Sequence, residues 1–255
     1  MNSTAGWDVM EKVDGRGTCT LEKGCPEEAA AAAAQLLLLA GLAGAYGLGP
    51  LGVLVGVVYA AGLLGLLSGA IRRSGRTALG PADLVTLARS VLVGGVTALV
   101  AEHLLLGTAG VPALVVLAAV ALALDAVDGK IARRTGTVSA VGARFDMEVD
   151  AFLVLVLSVH VATVVGPWAL VIGAMRYAFV LAGRLLPWLR GPVPPSYVAK
   201  TVAAVQGVVL VVAASGLLPL PVTTALVAVA LVLLVWSFAR TVLLLWRGTR
   251  VPTAG

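Results

Sequence analysis

The chain has 255 residues, of which 60% are hydrophobic and only 12% are charged, and its mean hydropathy is +1.02. Because these few polar residues cannot cover the surface of a soluble globular protein of this length, the composition excludes a soluble enzyme or binding module. The net charge of +5 is explained by basic residues near anionic lipid headgroups and gives no reason to expect a nucleic-acid partner. We therefore predict an integral membrane protein.

The first part of the chain differs from the rest. Residues 1–28 are polar, mixed in charge and without an apolar run that could serve as a signal-peptide core, so we predict a cytoplasmic tail. Cys19 and Cys25 lie in this tail with no histidine nearby, which favours free thiols. Residues 29–76 form a predicted accessory extension of two membrane helices that ends in a basic linker, and residues 77–255 form the main membrane domain.

Apolar runs long enough to cross a membrane recur along the chain, since a spanning helix needs roughly 20 residues. The runs cover residues 29–47, 51–70, 90–107, 111–127, 145–165, 167–187, 199–216 and 221–246. The predicted fold is therefore an all-α polytopic membrane helix bundle of about eight transmembrane helices.

The charges of the connections predict the orientation of the bundle. The turns around Gly49, Ala109, Gly166 and Leu218 carry no charged residue, whereas the opposite connections and the C-terminus are basic. Positively charged connections usually stay in the cytoplasm, so both termini are predicted to be cytoplasmic. The bias toward Ala, Val, Gly and Arg is typical of a high-GC bacterium, and we expect the protein in its plasma membrane.

Two pairs of aspartates stand at the edges of apolar runs. Asp125 and Asp128 are three positions apart at the end of the predicted fourth helix. Asp146 and Asp150 are four apart at the start of the fifth, so each pair lies on one helix face. Ionised carboxylates at a membrane edge need compensating charge, and Mg²⁺ or Mn²⁺ prefers oxygen ligands. Two such ions about 4 Å apart can polarise a phosphoryl group, so the pairs predict metal-assisted phosphate chemistry.

The residues between the two pairs also suit phosphate binding. Gly129 lets a ligand approach the backbone, Ala132 keeps the next turn small, and Arg133 can bind a phosphate with its two-pronged guanidinium. Gly142 is similarly permissive before the second pair, and Ser139 lies in a polar turn that is able to cover a nucleotide.

The segment from Asp125 to Asp150 reads D-x2-D-G-x2-A-R-x8-G-x3-D-x3-D. It resembles the signature of the CDP-alcohol phosphatidyltransferase family at all eight fixed positions. The resemblance covers roughly residues 81–246, a core of six helices, and leaves the first two helices outside. It implies an integral membrane enzyme, typically a homodimer, that transfers a substituted phosphate from a CDP-linked donor to an alcohol and releases CMP.

The resemblance also implies roles for single residues. Asp125, Asp128 and Asp146 match the metal ligands of the family. Asp150 matches both a ligand and the general base that deprotonates the attacking hydroxyl. Further positions match the CDP-donor site, and these are Asp83, Thr86, Gly129, Ala132, Arg133, Ser139 and Gly142.

The substrates follow less directly from the sequence. The site opens at the membrane interface, which favours CDP-diacylglycerol as donor and a phospholipid as product. Enzymes that act on phosphorylated acceptors often carry D-P-x-A-D-K at the second aspartate pair, whereas this chain reads DMEVDA there. Basic residues elsewhere could replace the missing lysine, namely Arg134, Arg144, Arg176 and Lys200. We rank a phosphatidylglycerol-phosphate or cardiolipin synthase slightly above a phosphatidylinositol-phosphate synthase.

Two other functional classes remain alternatives. Acidic residues in membrane helices also mark the ion pathways of cation or proton transporters, but such sites lie near the membrane midplane. The aspartates of this chain instead cluster at one predicted membrane edge, beside a segment suited to phosphate. A catalytically idle homologue is the third reading, although all eight motif positions are present.

Further polar residues lie within the apolar runs. Arg176, near the middle of the sixth helix, has two equally weighted readings, a contact with a substrate phosphate or a structural pair with Glu148. Glu102, His103 and His160 lie toward the outer helix ends, and we favour a buried polar cluster that locks helices together over a second site.

Overall fold

The computed structural model describes residues 26–74, 81–107, 110–135, 140–191 and 197–248. Side chains are described over 27–69, 83–107, 110–125, 142–186 and 197–246, and at positions 188, 189 and 191. The side chains of Asp128, Gly129, Ala132 and Arg133 therefore lie outside the described residues, and so does Ser139 altogether. Cys19 and Cys25, with the rest of the predicted tail, also lie outside them.

The described ranges contain eight α-helices and no β-strand. The helices are α1 (Pro26–Tyr46), α2 (Pro50–Ser74), α3 (Pro81–Leu106), α4 (Val111–Thr135), α5 (Ala140–Val165), α6 (Leu170–Leu185), α7 (Tyr197–Ala214) and α8 (Leu220–Gly248). Seven of them are long and apolar enough to cross a membrane, and α4 adds a shorter apolar stretch, Val111–Asp125. The predicted all-α polytopic bundle is confirmed.

Three helices that carry site residues are longer than the apolar runs predicted. Helix α3 begins at Pro81 rather than near residue 90, α4 continues to Thr135, and α5 begins at Ala140. Hydropathy locates the part of a helix that suits lipid, whereas the backbone hydrogen bonds continue through polar helix-forming residues. The aspartates consequently lie inside α4 and α5, more than a turn from the helix ends where the sequence had placed them.

Glycines close the connections on one side of the bundle. Gly47, Gly107, Gly166 and Gly216 have φ values of 69°, 66°, 109° and 66°, a region that glycine adopts without steric cost. These four turns join α1 to α2, α3 to α4, α5 to α6 and α7 to α8, the same connections that lack charged residues. The other ends of these helices, where α2 carries Arg72 and Arg73 and α4 carries Arg133 and Arg134, therefore lie on the opposite side of the bundle.

Helix α3 lies at the centre of the bundle. Of its apolar span 61% is buried inside the protein, against 17% for each of α1 and α2. It packs against α1, α2, α4 and α5. The fully buried side chains of this core include Val93 and Val96 of α3, Leu114 and Ala118 of α4, and Leu153 and Leu157 of α5.

Helices α1 and α2 both pack against α3, and polar contacts at two levels tie α2 to it. The Glu102 carboxylate accepts hydrogen bonds from the backbone N–H groups of Gly49 (3.1 Å) and Gly52 (2.9 Å) at the start of α2. The free N–H groups of a helix N-terminus favour a negatively charged acceptor. Toward the other end of α3, the Tyr59 hydroxyl donates to the carbonyl oxygen of Ser90 at 3.2 Å.

Candidate active site

A fully buried arginine on α3 gathers three carboxylates from α4 and α5. Arg89 is 0% exposed. Its Nη1 forms an ion pair with Oδ1 of Asp125 and lies 3.4 Å from Oδ1 of Asp150. Its Nη2 pairs with Oδ1 of Asp146 and also donates to the backbone carbonyl oxygen of Asp146 at 3.2 Å. A single guanidinium therefore joins three helices at one point.

The three carboxylates are close enough together to share a cation. One oxygen from each of Asp125, Asp146 and Asp150 lies within 4.8 Å of the other two. Their side chains are 38%, 34% and 39% exposed, so a ligand can reach them from outside the bundle. Carboxylate oxygens are the donors that Mg²⁺ and Mn²⁺ prefer, so these residues fit a divalent metal. Asp128 belongs to the same helix as Asp125, one turn further along.

Helix periodicity explains how these side chains come together. Asp146 and Asp150 are four residues apart on α5 and so face the same direction. Val149 and Leu153, which lie beside them, are buried in the core and hold this part of α5 against its neighbours. The aspartates consequently lie at the border between the packed core and the accessible end of the bundle.

Three buried polar side chains near the start of α3 lie on one face of that helix. Asp83, Thr86 and Ser90 recur at intervals of three and four residues and are 7%, 4% and 0% exposed. Asp83 and Thr86, which the sequence placed beside the nucleotide, thus lie one to two turns before Arg89 at the carboxylate end of the bundle. Gly142 lies in the first turn of α5, one turn before Asp146.

Sequence reasoning gave no role to Arg89. One signal is its isolation, since it is the sole lysine or arginine in the apolar span Asp83–Leu106. A basic residue within a membrane helix is costly and usually has an acidic partner. That signal indicates a pair, but it does not say that the partners come from both aspartate pairs of the motif.

Arg176 lies in α6 and binds a carboxylate of α5 that the cluster does not use. Its Nη2 donates to Oε1 of Glu148 at 2.8 Å, with the two side chains 29% and 59% exposed. Of the two readings that the sequence left open, the structure shows the pair with Glu148.

The polar residues at the far end of α3 form contacts of their own. His103 and His160 lie with their ring centroids 4.8 Å apart, while Glu102 binds the start of α2. Glu102 is 13 residues after Arg89 on the same helix, a separation of roughly 20 Å. These contacts join α3 to α5 and α2, so the predicted helix-locking role is confirmed and the group is remote from the carboxylates.

The structure defines a polytopic helical membrane protein with an acidic, arginine-bridged site at one end of its bundle. Residues 80–246 match the family model of the CDP-alcohol phosphatidyltransferases, and the chain belongs to this family of membrane transferases for substituted phosphate groups. Members use a CDP-alcohol donor and an alcohol acceptor. No curated protein and no solved structure gave a significant match to the chain. Membership of an enzyme family decides against the transporter alternative.

Proposed function

We propose that the protein transfers the phosphatidyl group of CDP-diacylglycerol to an alcohol, releases CMP and thereby contributes to phospholipid biosynthesis. The observation that carries this proposal is the convergence of Asp125, Asp146 and Asp150, whose oxygens lie within 4.8 Å of one another inside the family-matched region. A purely structural role would not require three carboxylates that are each more than a third exposed.

The metal ligands that we propose are Asp125, Asp128, Asp146 and Asp150, and four carboxylates suit two Mg²⁺ or Mn²⁺ ions. When bound, such a cation polarises the phosphoryl group and offsets the negative charge that develops on the leaving CMP. The protein supplies the carboxylates from two helices, α4 and α5, so that the packing of these helices fixes the shape of the site.

Asp150 is the proposed general base. Its carboxylate is 39% exposed and lies in the same cluster, which lets an acceptor hydroxyl approach it. Asp150 takes the proton of the hydroxyl as the oxygen attacks the phosphorus that bears diacylglycerol. A new oxygen–phosphorus bond forms, the bond between that phosphorus and the CMP oxygen breaks, and CMP leaves.

The donor site that we propose lies beside the carboxylates. It consists of Asp83, Thr86, Gly129, Ala132, Arg133, Ser139 and Gly142. Asp83 and Thr86 support this placement because they are buried polar residues near the start of α3, the end that lies toward Asp125, Asp146 and Asp150. The neighbouring apolar side chains Leu84 and Met147 are 43% and 48% exposed, and they offer surface for acyl chains beside the site.

The acceptor that we propose carries a phosphate, which places a phosphatidylglycerol-phosphate or cardiolipin synthase slightly ahead of a phosphatidylinositol-phosphate synthase. Arg176 is engaged with Glu148, whereas Arg144 and Lys200 are exposed and available to attract an anionic acceptor. Arg144 lies on α5 only two residues before Asp146, and this proximity supports a phosphorylated acceptor.

An acceptor screen tests the proposal. The purified protein in detergent receives CDP-diacylglycerol and Mg²⁺ or Mn²⁺, and CMP release is measured with glycerol 3-phosphate, phosphatidylglycerol, inositol phosphate, inositol or serine. We expect release with glycerol 3-phosphate or phosphatidylglycerol and none in an Asp146→Asn variant. Release with inositol phosphate alone would assign the second type, and release with serine or inositol alone would contradict a phosphorylated acceptor.

We further propose that both termini and the carboxylate site face the cytoplasm of a bacterial cell and that the enzyme is a homodimer. The basic connections support the orientation, and the family resemblance supports the dimer. The chain has two cysteines, both in the N-terminal tail. A membrane-impermeant thiol reagent should therefore label inside-out vesicles and spare intact cells, and the reverse pattern would contradict this orientation.

A further inference from the structure

The guanidinium of Arg89 and a divalent cation would bind the same carboxylates. The guanidinium contacts Oδ1 of Asp125, Asp146 and Asp150. The oxygens of the same three residues form the candidate metal site. Arg89 is 0% exposed, so its charge is not screened by water as a surface arginine would be.

Two opposing effects of Arg89 on metal binding follow from this geometry. By holding carboxylates of α4 and α5 together, the guanidinium pre-organises the ligands, which favours metal. Its positive charge, which lies against the same carboxylate oxygens, would oppose the binding of a second cation. The packing of α4 and α5 against α3 also holds the carboxylates near one another, so only part of the pre-organisation depends on Arg89. The repulsion between two unit charges in a partly buried site, by contrast, depends on Arg89 alone. The repulsion is therefore the stronger of the two effects.

We propose that Arg89 is a positioning residue that serves as the internal counter-cation of the carboxylate cluster and sets its affinity for divalent metal. The inference rests on the proposed function, because it takes the use of metal at this cluster from it. Arg89 lets three carboxylates assemble within the membrane domain, where unpaired charges are costly, and it keeps their hold on the cation weak. The cluster thus folds with the helices and binds its metal reversibly.

The test measures metal binding without any substrate. Purified full-length protein in detergent is titrated with Mn²⁺, and free Mn²⁺ is measured by electron paramagnetic resonance for wild type, Arg89→Met and Arg89→Lys. Arg176→Met is the matched control, because it removes an arginine paired with Glu148 on the same helix as Asp146 and Asp150. Thermal unfolding with chelator and with Mn²⁺ accompanies each titration.

We expect Arg89→Met to bind Mn²⁺ about tenfold or more tightly than wild type, because a competing unit charge is lost. Arg89→Lys should bind Mn²⁺ as wild type does or more weakly, since an ammonium keeps the competing charge but cannot bridge two helices as a guanidinium does. The Arg89→Met variant should unfold at a lower temperature in chelator and recover with Mn²⁺ by more than wild type does. The control should bind Mn²⁺ as wild type does.

Other outcomes separate this inference from the proposed function. If Arg89→Met binds Mn²⁺ as wild type does, or more weakly, Arg89 does not compete with metal and the inference is wrong. If Arg89→Met does not fold, Arg89→Gln, which also removes the charge and is titrated in the same way, decides instead. If wild type binds Mn²⁺ no better than Asp146→Asn does, the cluster is not a metal site and the proposed function itself fails.

Discussion

Arg89 and Asp125 form an ion pair although 36 positions separate them in the chain. Asp125 begins the segment that carries the family signature, whereas Arg89 lies well before it on α3. The candidate site is therefore larger than its motif, because the central helix of the bundle contributes a buried cation to it. A substitution that shifts α3 should therefore also shift the carboxylates, because Arg89 connects them to this helix.

Replacement of Asp150 by Asn tests the general base. Asparagine has nearly the same shape but cannot accept a proton, so we expect turnover to fall by about 10²-fold or more while donor binding is largely kept. The measurements are acceptor-dependent CMP release and CDP-diacylglycerol binding. Glu148→Gln is the control, since this carboxylate lies on the same helix but pairs with Arg176. Near-normal turnover in Asp150→Asn would remove Asp150 from the base role.

Glu102 should stabilise the packing of α2 against α3. Glu102→Ala removes the acceptor for two N–H groups of α2, and hydrogen bonds to a charged group contribute about 1.5–3 kcal/mol each. We expect the free energy of unfolding in detergent to fall by about 3 kcal/mol. Glu102→Gln, which keeps one acceptor oxygen, should lose less. Equal stability of Glu102→Ala and wild type would show that the α2 N–H groups find other partners.

Gly173 allows α6 to approach the backbone of α5. A Cβ at this position would lie 2.5 Å from Cα of Leu155 and 3.0 Å from Oγ of Ser158. Gly173→Ala should therefore push α6 away and destabilise the protein by about 1–3 kcal/mol in chemical denaturation. Gly62→Ala is the matched control, because nothing lies within 4 Å of its added Cβ. This control should keep or slightly raise stability, since alanine is the better helix former. An unchanged midpoint for Gly173→Ala would contradict the close packing.

The pair of Arg176 and Glu148 should be structural. Both side chains are partly exposed, so a double-mutant cycle of Arg176→Gln and Glu148→Gln should give a coupling of less than about 1 kcal/mol in unfolding free energy. The two single variants should also change KM for the acceptor equally little. A rise in KM that appears with Arg176→Gln and is absent with Glu148→Gln would instead assign Arg176 to substrate binding.

Sequence patterns predicted those features that depend on local order. Apolar runs predicted the eight helices, and the spacing of four residues predicted that Asp146 and Asp150 lie on one face of α5. The uncharged turns corresponded to the four connections that glycines with positive φ close. These features follow from helix geometry and the membrane, which act on neighbouring residues.

Contacts between distant segments could not be predicted in the same way. The pairing of Glu102 with Gly49 and Gly52 joins residues 53 and 50 positions apart, and no periodicity encodes it. The assignment of Arg89 required the relative placement of α3, α4 and α5. The predicted start of α3, end of α4 and start of α5 are also wrong, because hydropathy falls at polar residues through which the backbone hydrogen bonds of a helix continue.

The central claim is that the aspartate cluster supports metal-dependent transfer of a phosphatidyl group. The most direct test is CMP release by the purified wild-type protein from CDP-diacylglycerol and its preferred acceptor, before chelation, after chelation, and after addition of Mg²⁺ or Mn²⁺. We expect acceptor-dependent release that stops with chelator, returns with either ion, and is absent in Asp146→Asn. Release that continues unchanged in chelator, or no release with any acceptor from folded protein supplied with metal, would contradict it.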